Sequence, residues 1–471
     1  MGSITAAQRS VRMRLHPGER RIILFLGDAV MAGLALLISI YAWGQKDWLD
    51  FSRAFLSERI PSWFFIMPLL WLILNVEMYD IRRAGRRLET IKGVAGAAGA
   101  SVFLYLFVFF LSEPGSLPRL GAATFIVASS VLMIGWRFFY ISVFTAQEFL
   151  RRVVIVGAGR AGTTLVQVIK EMWPPPFYLV GLIDDDPEKL NSQIEGYSVL
   201  GNCQDLLAII EQQNVTDVIF SISNEMKPDM FQALLQAEEE GIEVTTMPLV
   251  YEDLMGRVPI LLLKSDWILR SFVDHAHANG FYEAIKRLLD IVGGLVGVLI
   301  LSFFFPFIAI GIYLESGGPV VFTQNRLGKN GREYPIIKFR TMRQTCDANG
   351  KLLPDKVRIT KVGNILRKSH LDELPQFINV LRGEMSLVGP RAEITELVNQ
   401  LQSRVPFYRA RLLVKPGITG WAQVNFGYAI TVEDTGIKLE YDLYYIKHRN
   451  LLLDFIILLR TLGTVIGFRG Q

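Results

Sequence analysis

The chain has 471 residues, 51% hydrophobic and 20% charged, with a mean hydropathy of +0.32. That balance excludes an ordinary soluble enzyme and points to membrane spans. The net charge of +4 is small for this length and local in origin, which argues against a nucleic-acid partner, and two distant cysteines, Cys203 and Cys346, supply neither a disulfide framework nor a zinc ligand set.

Four apolar runs come first, near 22–43, 62–76, 94–112 and 120–144. Each approaches the roughly 20 residues that cross a bilayer, the second being the shortest. The first is a poor signal peptide, because its basic flank is long and "ISIYAWGQ" is a weak cleavage site. Basic residues set the orientation. Arg9, Arg12, Arg14, Arg20 and Arg21 precede the first run, Arg82, Arg83, Arg86, Arg87 and Lys92 separate the second from the third, and Arg151 and Arg152 follow the fourth. In the first outer loop Lys46, Arg53 and Arg59 are balanced by Asp47, Asp50 and Glu58. The pattern predicts an inner N-terminus, four crossings over 1–150, and an inner location for everything beyond. Asp28 lies within the first span, either at a lipid-head or helix-partner site or, more simply, near the inner face, where it snorkels.

"RVVIVGAG" reads as a buried strand, and Gly157-Ala-Gly159-Arg-Ala-Gly162 opens a helix after it. In that context the glycines allow a diphosphate to approach the backbone, with Asp184 at the end of "YLVGLIDDD" where a ribose-binding acid would sit. Helices at 204–213 and 228–240 alternate with strands "DVIFSIS" and "EVTTMP". The reading is a Rossmann-like middle domain over 151–265. It holds an unassigned nucleotide, or its glycines serve only close helix–strand packing.

At Lys286-Arg287 an apolar run of about 27 residues begins, "LLDIVGGLVGVLILSFFFPFIAIGIYL". A crossing here would put the polar residues that follow outside the cell. A helix that bends near Ser302 and Pro306 and returns to the same face keeps them inside; a kinked fifth span is the alternative. The last run, "LLLDFIILLRTLGTVIGF" (451–468), carries Asp454 and Arg460, which suits a helix lying in the interface, or else a core helix.

Between these runs lie turns flanked by Arg and Lys. "GGPVVFTQNRLGKNGREYPIIKFRTM" (317–342) contains Arg326, Lys338 and Arg340, and "MSLVGPRAE" contains Arg391. Such turns present N–H groups and guanidinium forks to phosphate oxygens. In "SHLDELPQ", Ser369 is placed to cap a helix with Asp372 and Glu373 in its first turn. A carboxylate there can attack phosphorus or hold Mg²⁺. Taken alone, an Asp-Glu pair is ordinary capping charge. His370 reads as structural.

The stretch from about 281 to 471 resembles the bacterial polyprenyl glycosylphosphotransferases of exopolysaccharide synthesis, the monotopic phosphoglycosyl transferases. The resemblance rests on "KRLLDI", "GGPVVFTQNRLGKNG", "KFRTM", "RITKVGNILRKSHLDELPQFINVLRGEMSLVGPR", "KPGITGWAQV" and "LEYDLYYIKHRNLLLDFIILLRT". The spans and middle domain resemble the large members of that family. The implied architecture is membrane α-helical plus α/β, with four transmembrane helices, a Rossmann-like middle domain and a C-terminal α-rich catalytic domain (281–471) whose re-entrant helix lies near 286–314. The implied reaction moves a hexose 1-phosphate, glucose or galactose, from a UDP-sugar to undecaprenyl phosphate at the bacterial inner membrane, with Mg²⁺ as cofactor, and releases UMP. Asp372 would be the nucleophile and Glu373 its assistant through Mg²⁺ or proton handling. Arg391 matches the family's Gly-Pro-Arg-Pro arginine, and Lys338 and Arg340 match its Lys-Phe-Arg segment; with Arg326 they are the candidates for holding phosphate. The implied partners are donor, acceptor, bilayer and downstream polysaccharide assembly proteins, with a homodimer left open. Two departures stand out. Ala392 replaces the second proline, which weakens the expected rigidity of that turn, and Ser302 is not followed directly by proline.

Two rivals remain on sequence grounds. Gly157–Asp184 and the pair Tyr282/Lys286 mimic a membrane-tethered NAD-dependent nucleotide-sugar dehydratase or reductase. A non-catalytic organiser of polysaccharide assembly is the other.

Overall fold

The computed structural model describes residues 14–113, 117–221, 226–262, 280–343, 354–427 and 431–466. Arg9, Arg12, Cys346 and the end of the last apolar run lie outside the described residues. The chain packs as two units, Met1–Val250 and Tyr251–Gln471.

In the first unit, helices Pro17–Gly44, Arg87–Leu111 and Arg119–Phe144 are long and apolar enough to cross a membrane. The predicted second span is shorter than a full crossing helix. It folds as a 3-10 turn, Ser62–Ile66, continuing into Met67–Leu74. Asn75 ends it by donating Nδ2 to the Trp71 carbonyl at 2.9 Å. The fourth helix of crossing length is Gly280–Ser316, in the second unit.

Asp28 does not snorkel. It is fully buried, and Arg137 of the Arg119–Phe144 helix donates Nε to both its oxygens at 3.2 Å and NH2 at 2.7 Å. The Arg137 guanidinium also lies 5.3 Å from the Tyr79 ring centre. An acid this far into an apolar helix needs a cation across the helix interface, because lipid offers it nothing. The helix-partner reading therefore holds.

Beyond the helices stands a six-stranded sheet: β1 (Arg152–Val156), β2 (Tyr178–Ile183), β3 (Gln193–Ile194), β4 (Tyr197–Gly201), β5 (Asp217–Phe220) and β6 (Glu243–Thr246), in the order β3-β4-β2-β1-β5-β6. All neighbours pair in parallel except β3 with β4. The central β1 buries Val153 to Val156 completely, and helices Arg160–Glu171, Leu206–Gln213 and Pro228–Glu239 connect the parallel strands. The β3–β4 hairpin went unpredicted. Its turn is Glu195-Gly196, both at positive φ, and its strands are too short for an alternation signal.

The second unit is built on the Gly280–Ser316 helix, which is helical through Pro306. The Ser302 hydroxyl donates to the Val298 carbonyl one turn back, not to a carbonyl freed by the proline. One face is pinned along its length by polar contacts. Arg287 donates to the Val380 and Leu381 carbonyls at 2.8 Å, Asp290 accepts from Ser386 Oγ and the Leu387 N–H at 2.9 Å, and Glu315 accepts from the Lys361 and Val362 N–H groups. The other face leaves Leu288, Leu295, Leu299, Phe303, Phe307 and Leu314 exposed. The antiparallel pair β7 (Val321–Leu327) and β8 (Glu333–Phe339) follows, then helices Lys361–Lys368 and Gln376–Arg382 and a parallel pair, β9 (Ser386–Val388) with β10 (Gly417–Thr419). Helices Val432–His448 and Leu451–Ile466 close the main core around Val388, Val414, Leu443, Ile446 and Ile457.

The last helix is not a charge-exposing interfacial one. Asp454 is buried and accepts from Tyr282, Lys286 and Tyr445, while Arg460 donates to Asn425 at 2.6 Å and stacks on Trp421. Both charges point into protein because each has a partner there, so the core-helix reading applies.

Arg137→Met strands Asp28 as a lone buried charge and is expected to cost about 3–5 kcal/mol. The double variant Asp28→Leu/Arg137→Met should recover most of that. Thermal unfolding of the purified chain in micelles measures both.

Candidate active site

β8 carries Lys338, and register places it opposite Phe322, with Gln324 and Arg326 further along the same face of β7. Asn379 holds this strand against the Gln376–Arg382 helix. It is fully buried, donates Nδ2 to the Pro335 carbonyl at 2.8 Å and accepts the Ile337 N–H at 3.1 Å. Lys338 is thereby set facing the segment that precedes that helix.

That segment departs from the capping pattern read in the sequence. Ser369 ends the Lys361–Lys368 helix instead of starting the next one; its hydroxyl bonds back to the Ile365 and Leu366 carbonyls. His370 then takes a left-handed conformation, φ 57°, and Leu371–Glu373 form a single 3-10 turn. A back-bonding serine satisfies helix-end carbonyls, so it is unavailable as an N-cap. The reversal at His370 directs Asp372 and Glu373 inward.

Glu373 Oε1 accepts from Lys338 Nζ at 2.7 Å and from Arg391 NH2 at 2.9 Å. Burial alone would raise this carboxyl; the Arg391 and Lys338 charges outweigh it and hold it at about 2. Asp372 goes the other way. Burial and the neighbouring Glu373 charge raise its carboxyl above the ordinary aspartate value, against the pull of Lys338, Arg367 and His370. Two adjacent acids thus have opposite environments, the pattern that assigns distinct roles to a carboxylate pair.

Arg391 reaches Glu373 from a loop whose carbonyls are all taken. Pro390 O accepts the Gly417 N–H, Arg391 O accepts Arg411 NH2, Ala392 O accepts Arg326 NH1, and Glu393 O accepts the Leu327 N–H. Ala392 itself is buried. The rigidity expected of a second proline is supplied here by four successive hydrogen bonds. The loop also meets "KPGITG" backbone to backbone: a Cβ on Gly417 would lie 2.1 Å from the Gly389 nitrogen.

Beneath the loop is a charge cluster that sequence reasoning missed. Glu393 accepts from Lys438 at 2.8 Å and lies 3.5 Å from Arg411, which also pairs with Asp442 at 2.8 Å. Burial would raise the Glu393 carboxyl, but Arg411 and Lys438 hold it at about 2. Glu393 stands two residues after Arg391 of the Gly-Pro-Arg motif, and that proximity was its only signal.

The remaining predicted residues lie elsewhere. Arg340 is not brought to the acids; its guanidinium donates to the Ser316, Gly318 and Pro319 carbonyls and so fixes the turn after the long helix. Arg326 bonds Gln324 and Ala392, supporting the Arg391 loop. In the first unit, Gly157 has φ 106°, and a Cβ on Gly162 would lie 2.0 Å from the Gly157 carbonyl, while the Gly159 position is open. Asp184 spans that loop, accepting the Ala158 N–H at 2.7 Å, the Asp186 N–H and Lys189. Tyr282 and Lys286 both bond Asp454. His16, Asp217 and Glu243 also cluster, but Arg151 contacts all three, making an ion-pair network.

Two family models match, one described as bacterial sugar transferase over residues 281–468 and one as CoA-binding domain over 74–248. An uncharacterized sugar transferase of Bacillus subtilis, EpsL, is 41% identical over 40% of this chain and 89% of its own length. The chain belongs to the bacterial sugar transferase family. An Aeromonas hydrophila UDP-N-acetylgalactosamine-undecaprenyl-phosphate N-acetylgalactosaminephosphotransferase is 44% identical over 42% of this chain and 50% of its own. An undecaprenyl-phosphate glucose phosphotransferase of Komagataeibacter xylinus is 29% identical over 97% of this chain and 86% of its own. The match thus spans half the length of the Aeromonas relative.

The Asp372–Glu373 turn, Lys338, Arg391 and the Glu393 cluster all fall inside the segment matched to the sugar transferase family. The two acids offer only carboxylate oxygens, the hard donors Mg²⁺ prefers, with water and substrate phosphate able to fill its other positions. Gly417→Ala drives a methyl group into the Gly389 backbone, and overpacking of this kind costs about 1–3 kcal/mol. A lowered unfolding temperature for Gly417→Ala, with Gly427→Ala unchanged because its Cβ meets open space, checks this.

Proposed function

We propose that this sugar transferase moves a hexose 1-phosphate from a UDP-sugar to undecaprenyl phosphate through an aspartyl intermediate, at the bacterial inner membrane. The observation that carries the reading is the opposed pair: Glu373 held ionised between Lys338 and Arg391, and Asp372 beside it with a raised carboxyl. An Asp372 oxygen attacks the sugar-bearing phosphorus of the donor, and the bond from that phosphorus to the bridging oxygen breaks. UMP departs with the bond's electron pair. A phosphate oxygen of the polyprenyl acceptor then attacks the same phosphorus and releases the Asp372 carboxylate, leaving a polyprenyl diphosphate sugar. Lys338 and Arg391 stand where negative charge accumulates, and phosphoryl transfer relies chiefly on such positioning and neutralisation. Mg²⁺, held by Asp372 and Glu373, would supply further neutralisation of the donor diphosphate. Glucose or galactose is the proposed sugar; the names of relatives include N-acetylgalactosamine as well as glucose.

The membrane arrangement belongs to the same proposal. The first unit crosses with its N-terminus inside, and the domains divide as 1–150, 151–265 and 281–471. The Gly280–Ser316 helix enters and returns on the inner face. Support comes from its two ends, where Arg287 and Glu315 are both bonded to the same α/β unit. The middle sheet is proposed as a structural or regulatory unit, since Asp184 closes the glycine loop with its own carboxylate. Downstream polysaccharide assembly proteins are the proposed recipients of the product.

UMP release is measured with UDP-glucose, UDP-galactose and UDP-N-acetylgalactosamine, each with and without undecaprenyl phosphate. Asp372→Asn is expected to lose at least about a thousandfold, consistent with removal of a covalent nucleophile. Full turnover by that variant sinks the reading. Asp372 must be ionised to attack, so activity should fall in acid at a pH above the ordinary aspartate range. Lys338 lowers the Asp372 carboxyl, so Lys338→Met should move that acid limb to higher pH. An unmoved limb would show that another group controls it.

A further inference from the structure

A cavity of about 40 Å³ in the second unit opens beside the first turns of the Gly280–Ser316 helix. Five cations line it, Lys286, Arg287, Lys329, Lys415 and Arg449, against two acids. Both acids are committed: Glu283 accepts from Arg449 at 2.9 Å, and Asp290 accepts from Ser386 and the Leu387 N–H. Lys286 is neutralised by Asp454 at 2.8 Å. Among the described residues, Arg287 donates only to the neutral Val380 and Leu381 carbonyls. Lys329 and Lys415 have no hydrogen-bond or ion-pair partner among the described residues. A Cβ on Gly383 would lie 3.5 Å from Arg287 NH2 and 3.6 Å from Lys415 Nζ, so both cationic heads converge on one spot. Burial, and then the Arg287 charge, push the Lys415 ammonium below its ordinary value against the pull of Asp290 and Glu283.

Arg287 and Lys415 converge, Lys329 lines the same cavity, and the two carboxylates beside them are already bonded, so these cations repel one another unless a further anion joins them. At roughly 10–15 Å³ per water-sized group, the cavity suits a tetrahedral phosphate head and excludes a nucleoside. Its place suggests how the phosphate arrives. Lys286 and Arg287 immediately precede the apolar run, and Leu288, Leu289 and Val292 stand exposed just beyond. A lipid whose chains lie along this face would hold its phosphate level with the cavity.

We propose that this cavity is a second anion site, binding one phosphate group carried by a membrane lipid. It shares no residue with the Asp372, Glu373, Lys338 and Arg391 centre and does not depend on the transfer reaction. The test titrates the full chain in micelles with inorganic phosphate and, separately, with short-chain phosphatidic acid, following the unfolding temperature. Phosphatidic acid should stabilise the parent protein, and Lys329→Gln/Lys415→Gln should weaken its binding by about tenfold or more. Without ligand the double variant should melt no lower than the parent, because it sheds like-charge repulsion. Lys329→Gln alone, at an exposed position, guards against misfolding and should weaken phosphatidic acid binding in the same direction. Equal response to inorganic phosphate would overturn the lipid source. Unchanged phosphatidic acid affinity in the double variant would overturn the site itself.

Discussion

Two carboxylates on neighbouring residues in a partly buried turn repel each other and resist desolvation together. The clamp of Lys338 and Arg391 on Glu373 Oε1 resolves this, and much of the second unit serves to hold it. Lys338 is placed by β8, which Asn379 ties to the helix following the acids. Arg391 is placed by a loop with four occupied carbonyls, resting on Glu393, Arg411, Lys438 and Asp442. Buried ion pairs of this kind contribute little net stability, but they fix geometry because each partner left alone would be costly.

The long apolar helix solves a related problem at a different boundary. A helix with one face against protein and one bare must be held by contacts that lipid cannot replace. Asp290 provides one, accepting two hydrogen bonds from Ser386 and Leu387 in the middle of a hydrophobic run. Gly297 provides another kind, since any Cβ there would lie about 2.2 Å from the Phe377 ring. Phe377 belongs to the same helix as Asn379, so the surface that receives the apolar helix also positions the clamp.

Much of this was legible in the sequence because it depends on local chemistry. The Asp-Glu pair, the Gly-Pro-Arg turn, the apolar runs and the alternating strands are each written in adjacent residues. What escaped depends on partners far along the chain. Asp28 and Asp454 looked like interfacial charges because nothing nearby answers them; their cations are Arg137 and Lys286. Lys338 and Arg340 stand two apart and so belong on one face of a strand, yet β8 ends at Phe339 and Arg340 turns away to the carbonyls after Ser316. Ser369 fits an N-cap pattern and a back-bonding C-terminal position equally well, and only the left-handed His370 decides between them.

The opposed acids also bear on what a carboxylate nucleophile requires. It must be ionised, but a strongly acidic carboxylate is a weak nucleophile and a fast leaving group. Glu373 lies at that extreme, with both its cations bonded to one oxygen. Asp372 feels Lys338, with Arg367 and His370, only through space, and burial raises its carboxyl. A raised carboxyl binds phosphorus more tightly as an acyl phosphate, while the nearby cations still favour the ionised form needed for attack. In the proposed reaction, joining both conditions on neighbouring residues requires that one acid absorb the cations so that the other is left to attack. The Lys338–Glu373–Arg391 arrangement divides the charge in that way.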